Sequence, residues 1–156
     1  MDLTLTPLTG DAKTLHHWLT TFHLASVVLD PFTNESAWIL KTAARILRQF
    51  SGAAVRINFI VTCDASDARA FLGPLADEFL VFCDPDRVAV KALGLSELPA
   101  FVLIKSDGSV PIAAQGWTSA EWKEVAAAVA ALTSWSRPTI PAPGDPGSFR
   151  GTPALV

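Results

Sequence analysis

The sequence predicts an α/β fold: a mixed β-sheet with helices on both faces, an N-terminal helix before it and an extended Pro-rich tail after it. Three observations carry this reading. Short apolar runs rich in β-branched residues alternate with segments of helical period. The early strands are separated by helices and must run parallel, whereas the last two are joined by a tight turn and must run antiparallel. From Ser136 onward both periodicities stop. The chain divides accordingly into a domain over residues 1–135 and a tail over residues 136–156.

The elements follow in order. Leu15, Trp18, Leu19 and Phe22 fall at helical spacing behind Gly10 and Asp11, which predicts a helix from Asp11 to Leu24. Ser26–Asp30, "SVVLD", reads as a buried strand stopped by Pro31. Thr33 or Asn34 can cap a helix running to Phe50, with Trp38, Ile39, Ala43, Ile46, Leu47 and Phe50 on its apolar face and Gly52 just past its end. Val55–Thr62 is a second strand. Ser66–Asp77 is a short helix interrupted at Pro74, and Phe79–Asp84 a third strand. "DRVAVKALGL" is a helix stopped at Gly94. Pro99–Trp117 is a hairpin turning at "SDGS", and Ser119 caps a last helix through Leu132.

Composition narrows the function. The 156 residues suffice for one domain, and 50% hydrophobic content with 17% charge excludes general disorder. A net charge of -3 with no Lys/Arg cluster gives no face for nucleic acid. The opening residues lack the charged start and apolar middle of a signal peptide. The longest strongly apolar run, Val125–Leu132, is far short of the ~20 residues of a membrane span. The expected location is cytoplasmic.

No glycine-rich phosphate loop, nucleophile elbow or zinc pattern occurs, so neither cofactor nor metal is implied. His16 and His23 share a helical face but are too far apart to chelate one ion. Cys63 and Cys83 form no local C-x-x-C; each lies at the end of a predicted strand and precedes an aspartate, "TCD" and "FCD". Neighbouring strands would bring them close enough for a disulfide, and two inert buried thiols are the plain alternative. Trp117, Trp122 and Trp135 serve either packing or an exposed aromatic patch.

The segment "FCDPDRVAVKALGLSELPAFVLIKSDGSV" resembles the thioredoxin-like superfamily, nearest its peroxiredoxin and TlpA-like branch, through Asp84, Gly94, Pro99, Asp107-Gly108 and, beyond it, Gly116. The resemblance implies a thioredoxin-like sheet and a cis Leu98–Pro99 bond facing the loop Pro31–Ser36. It also implies that Leu98 has backbone groups free to pair with an extended peptide. On this alignment Thr33 and Ser36 stand where the family carries its two cysteines, and Phe32 stands at the preceding tryptophan. Thiol exchange needs a thiolate, and a hydroxyl supplies none; the peroxidatic cysteine is absent as well.

The expected function is therefore a redox-inactive binding or scaffold module. Its candidate binding residues are Phe32, Thr33, Asn34, Ser36, Leu98 and Pro99, and its partner is a protein, engaged in part through the 136–156 tail. The alternative is a divergent thiol-disulfide oxidoreductase using Cys63 and Cys83. For the tail, prolines spaced among Ile140, Phe149 and Leu155 favour an extended path along a surface, a partner's rather than the domain's own.

Overall fold

The computed structural model describes residues 1–155 and shows a seven-stranded sheet between two helical layers. Elements are numbered in chain order. The centre is β3 (His23–Leu29), which pairs in parallel with β4 (Val55–Val61) and antiparallel with β7 (Ala100–Ile104). On the parallel side β5 (Leu80–Cys83) follows, then β1 (Thr4–Pro7) and β2 (Lys13–Thr14); β8 (Ile112–Gln115) closes the other side.

The two-residue alternation of the strands divides the apolar residues between two cores. Ala25, Val27 and Leu29 face a cluster built with α2 (Asn34–Arg48), α3 (Ala65–Leu72) and α6 (Ser119–Thr133). Leu24 and Val28 face the other layer, with α1 (Leu15–Trp18) and α5 (Val88–Ala92). A short helix, α4 (Leu75–Glu78), restarts after Gly73-Pro74. The long helix α2 is held by packing. Ile39, Ile46, Leu47 and Phe50 have no exposed surface, and each buried side chain of this kind contributes about 1.5 to 3 kcal/mol. An N-cap contributes about 1 kcal/mol, and the N-cap side chain of α2, Thr33, makes no capping hydrogen bond.

Several expectations change. The N-terminal helix is one turn, Leu15–Trp18, rather than Asp11–Leu24, and two short strands precede it. Leu3, Leu5 and Pro7 alternate inward, so this segment follows the period of a strand and adds to the sheet beside β5. The helical spacing beyond Trp18 gives way because β3 starts at His23 and pairs on both edges from Leu24 onward. Trp38 is 55% exposed, at the margin of the apolar face of α2, and α6 is capped by Thr118 one residue before Ser119.

The tail lies along the domain's own surface, contrary to the expectation of a partner's. Ile140 is buried in the core of α2 and α6. Asp145 accepts hydrogen bonds from Thr42 Oγ1 (2.9 Å), Arg45 (2.7 Å) and the Ala142 N–H (2.7 Å). Trp117 donates its indole N–H to the Pro146 carbonyl at 2.8 Å and exchanges two backbone hydrogen bonds with Phe149. β9 (Thr152–Pro153) pairs antiparallel with β6 (Glu97–Leu98), and Ala154 is buried in the opposite core. The tail thus begins in one core and ends in the other. Sparse apolar residues suffice because the domain supplies the surrounding surface.

Ile140→Ala is expected to lower the unfolding free energy in urea by about 2 to 5 kcal/mol, the usual cost of emptying a buried isoleucine site. A loss below about 1 kcal/mol, the scale of an ordinary surface change, would mean that the tail is an ornament on the domain.

Burial pushes the Asp145 carboxyl up, but the Ala142 N–H, Arg45 and Thr42 together hold it below the ordinary value. A depressed carboxylate stabilises the fold above the unfolded value of about pH 4, and that contribution is lost as pH falls through the lower folded value. Acid titration of wild type against Asp145→Asn should show this component in wild type alone; superimposable curves would contradict it.

Candidate functional site

The carboxyl ends of β3, β4 and β5 lie side by side, the usual place for a site in an open α/β sheet. Asp30 follows β3, Cys63 follows β4 and Cys83 ends β5. Antiparallel pairing of Val28 with Ala100 brings Pro99 to the same edge, and the Leu98–Pro99 bond is cis.

Asp30 organises the loop after β3, and all four of its polar atoms are engaged. Its N–H donates to Ser36 Oγ at 2.9 Å. Its carbonyl accepts from Thr33 Oγ1 at 2.8 Å and from the Thr33 N–H at 3.1 Å. Its Oδ1 accepts from the Phe32 N–H, and its Oδ2 accepts from Arg87 at 2.9 Å. The same Arg87 guanidinium donates to the Ala154 carbonyl at 2.6 Å. The ion pair is buried, its side chains 14% and 5% exposed.

The sequence-derived residues divide into three groups. Phe32, Thr33, Asn34 and Ser36 share the loop and the start of α2. Ser36 is fully buried and its hydroxyl turns inward to Asp30, whereas Phe32 stands 68% exposed. Thr33 and Ser36 therefore fasten the loop rather than cap the helix. Leu98 and Pro99 are buried, and the edge that Leu98 would offer is already covered by β9. Cys63 and Cys83 are free. Burial pushes the Cys63 thiol up to about 12, with Cys83, Asp67, Asp64 and Asp30 adding to the shift. Burial likewise raises Cys83, with Asp64 adding to it. Cys83 also lines a surface cavity of about 500 Å³ with Asp84 and Asp86.

Trp117 and Trp122 are buried and Trp135 donates its indole N–H to the Gln49 carbonyl, so these three form no exposed patch. Phe32 and Trp38 are more exposed than Trp135, and Trp38 meets Phe149 edge to face at 5.5 Å. Sequence reasoning missed Asp30 and Arg87. Their signals were a charged residue closing an otherwise apolar strand and an arginine in the turn "DPDR" at the matching end of the sheet.

No family model and no curated protein matches the chain. Solved structures do. A secreted Mycobacterium tuberculosis disulfide oxidoreductase homologous to E. coli DsbE aligns at 22% identity and a TM-score of 0.64, over 84% of this chain and 96% of that one. The fold is thioredoxin-like. The bacterioferritin comigratory protein of Xanthomonas campestris, described for its alkyl peroxide reduction activity, aligns with this thioredoxin-like chain at 18% identity and a TM-score of 0.64, over 87% and 92%. A hypothetical protein of Sinorhizobium meliloti 1021 aligns at 18% identity and a TM-score of 0.64, over 99% of this chain and 90% of that one, a span that includes the tail. The resemblance read from Asp84, Gly94, Pro99 and Asp107-Gly108 holds at the level of fold. Among the described residues, no helix of this thioredoxin-like chain is long and apolar enough to cross a membrane, and no three His, Cys, Asp or Glu side chains gather to hold a metal.

Arg87→Ala would leave the Asp30 carboxylate buried without its counter-ion, which costs about 3 to 5 kcal/mol in comparable cases. Chemical denaturation should register that loss, and adding Asp30→Ala should return part of it. Independent, additive effects of the two substitutions would contradict the coupling.

Proposed function

We propose that this thioredoxin-like domain carries out no dithiol chemistry and works as a protein-binding module. The observation that supports the reading most directly is the engagement of Thr33 and Ser36. Both hydroxyls are fixed to the Asp30 backbone, one as donor and one as acceptor. Neither is ionised near neutral pH, and neither can form a disulfide. The surface around the loop suits association instead. Phe32 and Trp38 expose aromatic area beside it, and aromatic side chains are enriched where proteins meet. The location we propose is the cytoplasm, where two unpaired thiols stay reduced.

One observation favours a second reading, a divergent thiol-disulfide oxidoreductase. Cys63 and Cys83 sit at the same end of adjacent parallel strands, with Val61 in register with Cys83 and Cys63 two positions beyond it. Against it stand their raised thiols, since a reactive cysteine carries a depressed pKa.

The test has two arms. The full chain should show negligible insulin-disulfide reduction and peroxide consumption, and native Cys63 should resist iodoacetamide at pH values where the unfolded chain alkylates. Turnover that vanishes in Cys63→Ser or Cys83→Ser would install the second reading. In the other arm, a protein partner recovered with the wild-type chain should be lost with the Phe32→Ser/Trp38→Ser double variant. Undiminished recovery would remove the loop surface from the proposal.

A further inference from the structure

Buried polar atoms in a folded chain are nearly all hydrogen-bonded, so an unpaired one signals either a partner from outside the chain or a cost in stability. Among the described residues, five buried side-chain atoms have no hydrogen-bond partner in the protein: Trp18 Nε1, Ser26 Oγ, Arg45 Nε, Arg56 Nε and Asn58 Oδ1. Arg45 stands apart on α2. The other four belong to one region, between α1 and the middle of the sheet.

The pairing of the strands places them there. Ser26 on β3 and Asn58 on β4 are register partners, so their side chains leave the same face of the sheet on neighbouring strands about 4.8 Å apart. That face is the one α1 covers, since Leu24 and Val28, two residues either side of Ser26, pack with Leu15 and Trp18. Arg56 lies two residues before Asn58 on the same face. Phe82 is the register partner of Ile60, two residues after Asn58. The Trp18 ring meets both ends of this row, the Arg56 guanidinium at 5.7 Å and the Phe82 ring at 4.9 Å. The indole therefore lies across Asn58. Ser26 and Asn58 have no exposed surface, and the other buried residues of β3 and β4 are apolar.

The four atoms are chemically complementary to one another, yet no hydrogen bond joins any two of them. Trp18 Nε1 and Arg56 Nε only donate. Asn58 Oδ1 only accepts. Its Nδ2 is committed to the Arg56 carbonyl at 3.1 Å and the Ala25 carbonyl at 3.4 Å, which fixes the way the amide faces. The Ser26 hydroxyl serves in either role. An anion placed among them would meet the two N–H donors but has no proton for Asn58 Oδ1. An apolar guest meets none of the four. Water accepts two hydrogen bonds and donates two, which is the complement this group asks for.

We propose that one water molecule is bound between α1 and the sheet, accepting from Trp18 Nε1 and Arg56 Nε and donating to Asn58 Oδ1 and Ser26 Oγ. The site lies on the face of the sheet opposite α2, so it does not depend on the protein-binding reading. It fastens the single turn of α1 to the two central parallel strands by hydrogen bonds in addition to packing. It also gives a serine and an asparagine a reason to face each other in the interior of two otherwise apolar strands.

Ser26→Ala tests the site by the sign of its effect. In a dry site the substitution removes an unmet buried hydroxyl and stabilises the fold. With the water in place it removes one of the water's partners. Urea unfolding of Ser26→Ala should therefore give an unfolding equilibrium constant about two- to tenfold larger than that of wild type, the scale of one net hydrogen bond. An unchanged or smaller constant would overturn the proposal. If Ser26→Ala does not fold, a high-resolution crystal structure of the wild-type chain decides. It should show one ordered water within ~3.2 Å of both Trp18 Nε1 and Asn58 Oδ1. A direct hydrogen bond between Trp18 and Asn58, or no ordered density between them, would overturn the proposal.

Discussion

Asp30 closes the central strand with a buried carboxylate, and a buried carboxylate must be paired and hydrogen-bonded. Arg87 supplies the charge from the turn after β5, and the Phe32 N–H supplies a further donor. The requirement spreads outward from there. Arg87 reaches Asp30 from a left-handed backbone conformation, φ 59, that costs a non-glycine residue about 1 kcal/mol or more. Its second arm is satisfied by the Ala154 carbonyl, so the loop after β3, the start of α5 and the segment after β9 are joined through one guanidinium. Arginine suits this place because its planar fork serves two acceptors at once, which a lysine ammonium does not reproduce.

The tail completes the domain by the same economy of contacts. A segment with so few apolar residues builds no core alone, but each of its inward side chains enters a surface already formed. Ile140 fills the layer of α2 and α6, and Ala154 fills the layer of α5. Where the two strands of chain come closest, only glycine fits. A Cβ on Gly116, at φ 72, would lie 2.9 Å from the Gly151 nitrogen. The crossing between the two cores is therefore written into two glycines on opposite sides of it.

Around the sheet edge the electrostatics oppose thiolate chemistry. Cys63 has Asp30, Asp64 and Asp67 near it, and burial acts in the same direction. The loop that holds the dithiol in the thioredoxin-like resemblance is here a hydrogen-bonded turn, with both hydroxyls used up in holding its shape. What this loop and the start of α2 present to solvent is the aromatic area of Phe32 and Trp38.

The sequence by itself determined the central architecture. β-branched apolar runs such as "SVVL" and "VRINFIV" can satisfy a buried sheet and little else, and the tight "SDGS" turn forces an antiparallel closing pair. The thioredoxin-like likeness and the absence of cysteine between Thr33 and Ser36 were legible for the same reason: they are local. Only the tertiary structure decided the rest. Leu15, Trp18 and Leu19 carry a helical period that the chain follows for a single turn, because pairing of Leu24 with both Arg56 and Ile104 outweighs a few more helical residues. The prolines of the tail read as an extended chain, but which surface they follow depends on pockets formed by α2, α6 and Ser96–Leu98, from segments distant in sequence. Asp30 and Arg87 are 57 residues apart, and no local pattern reveals that one buried charge will need the other.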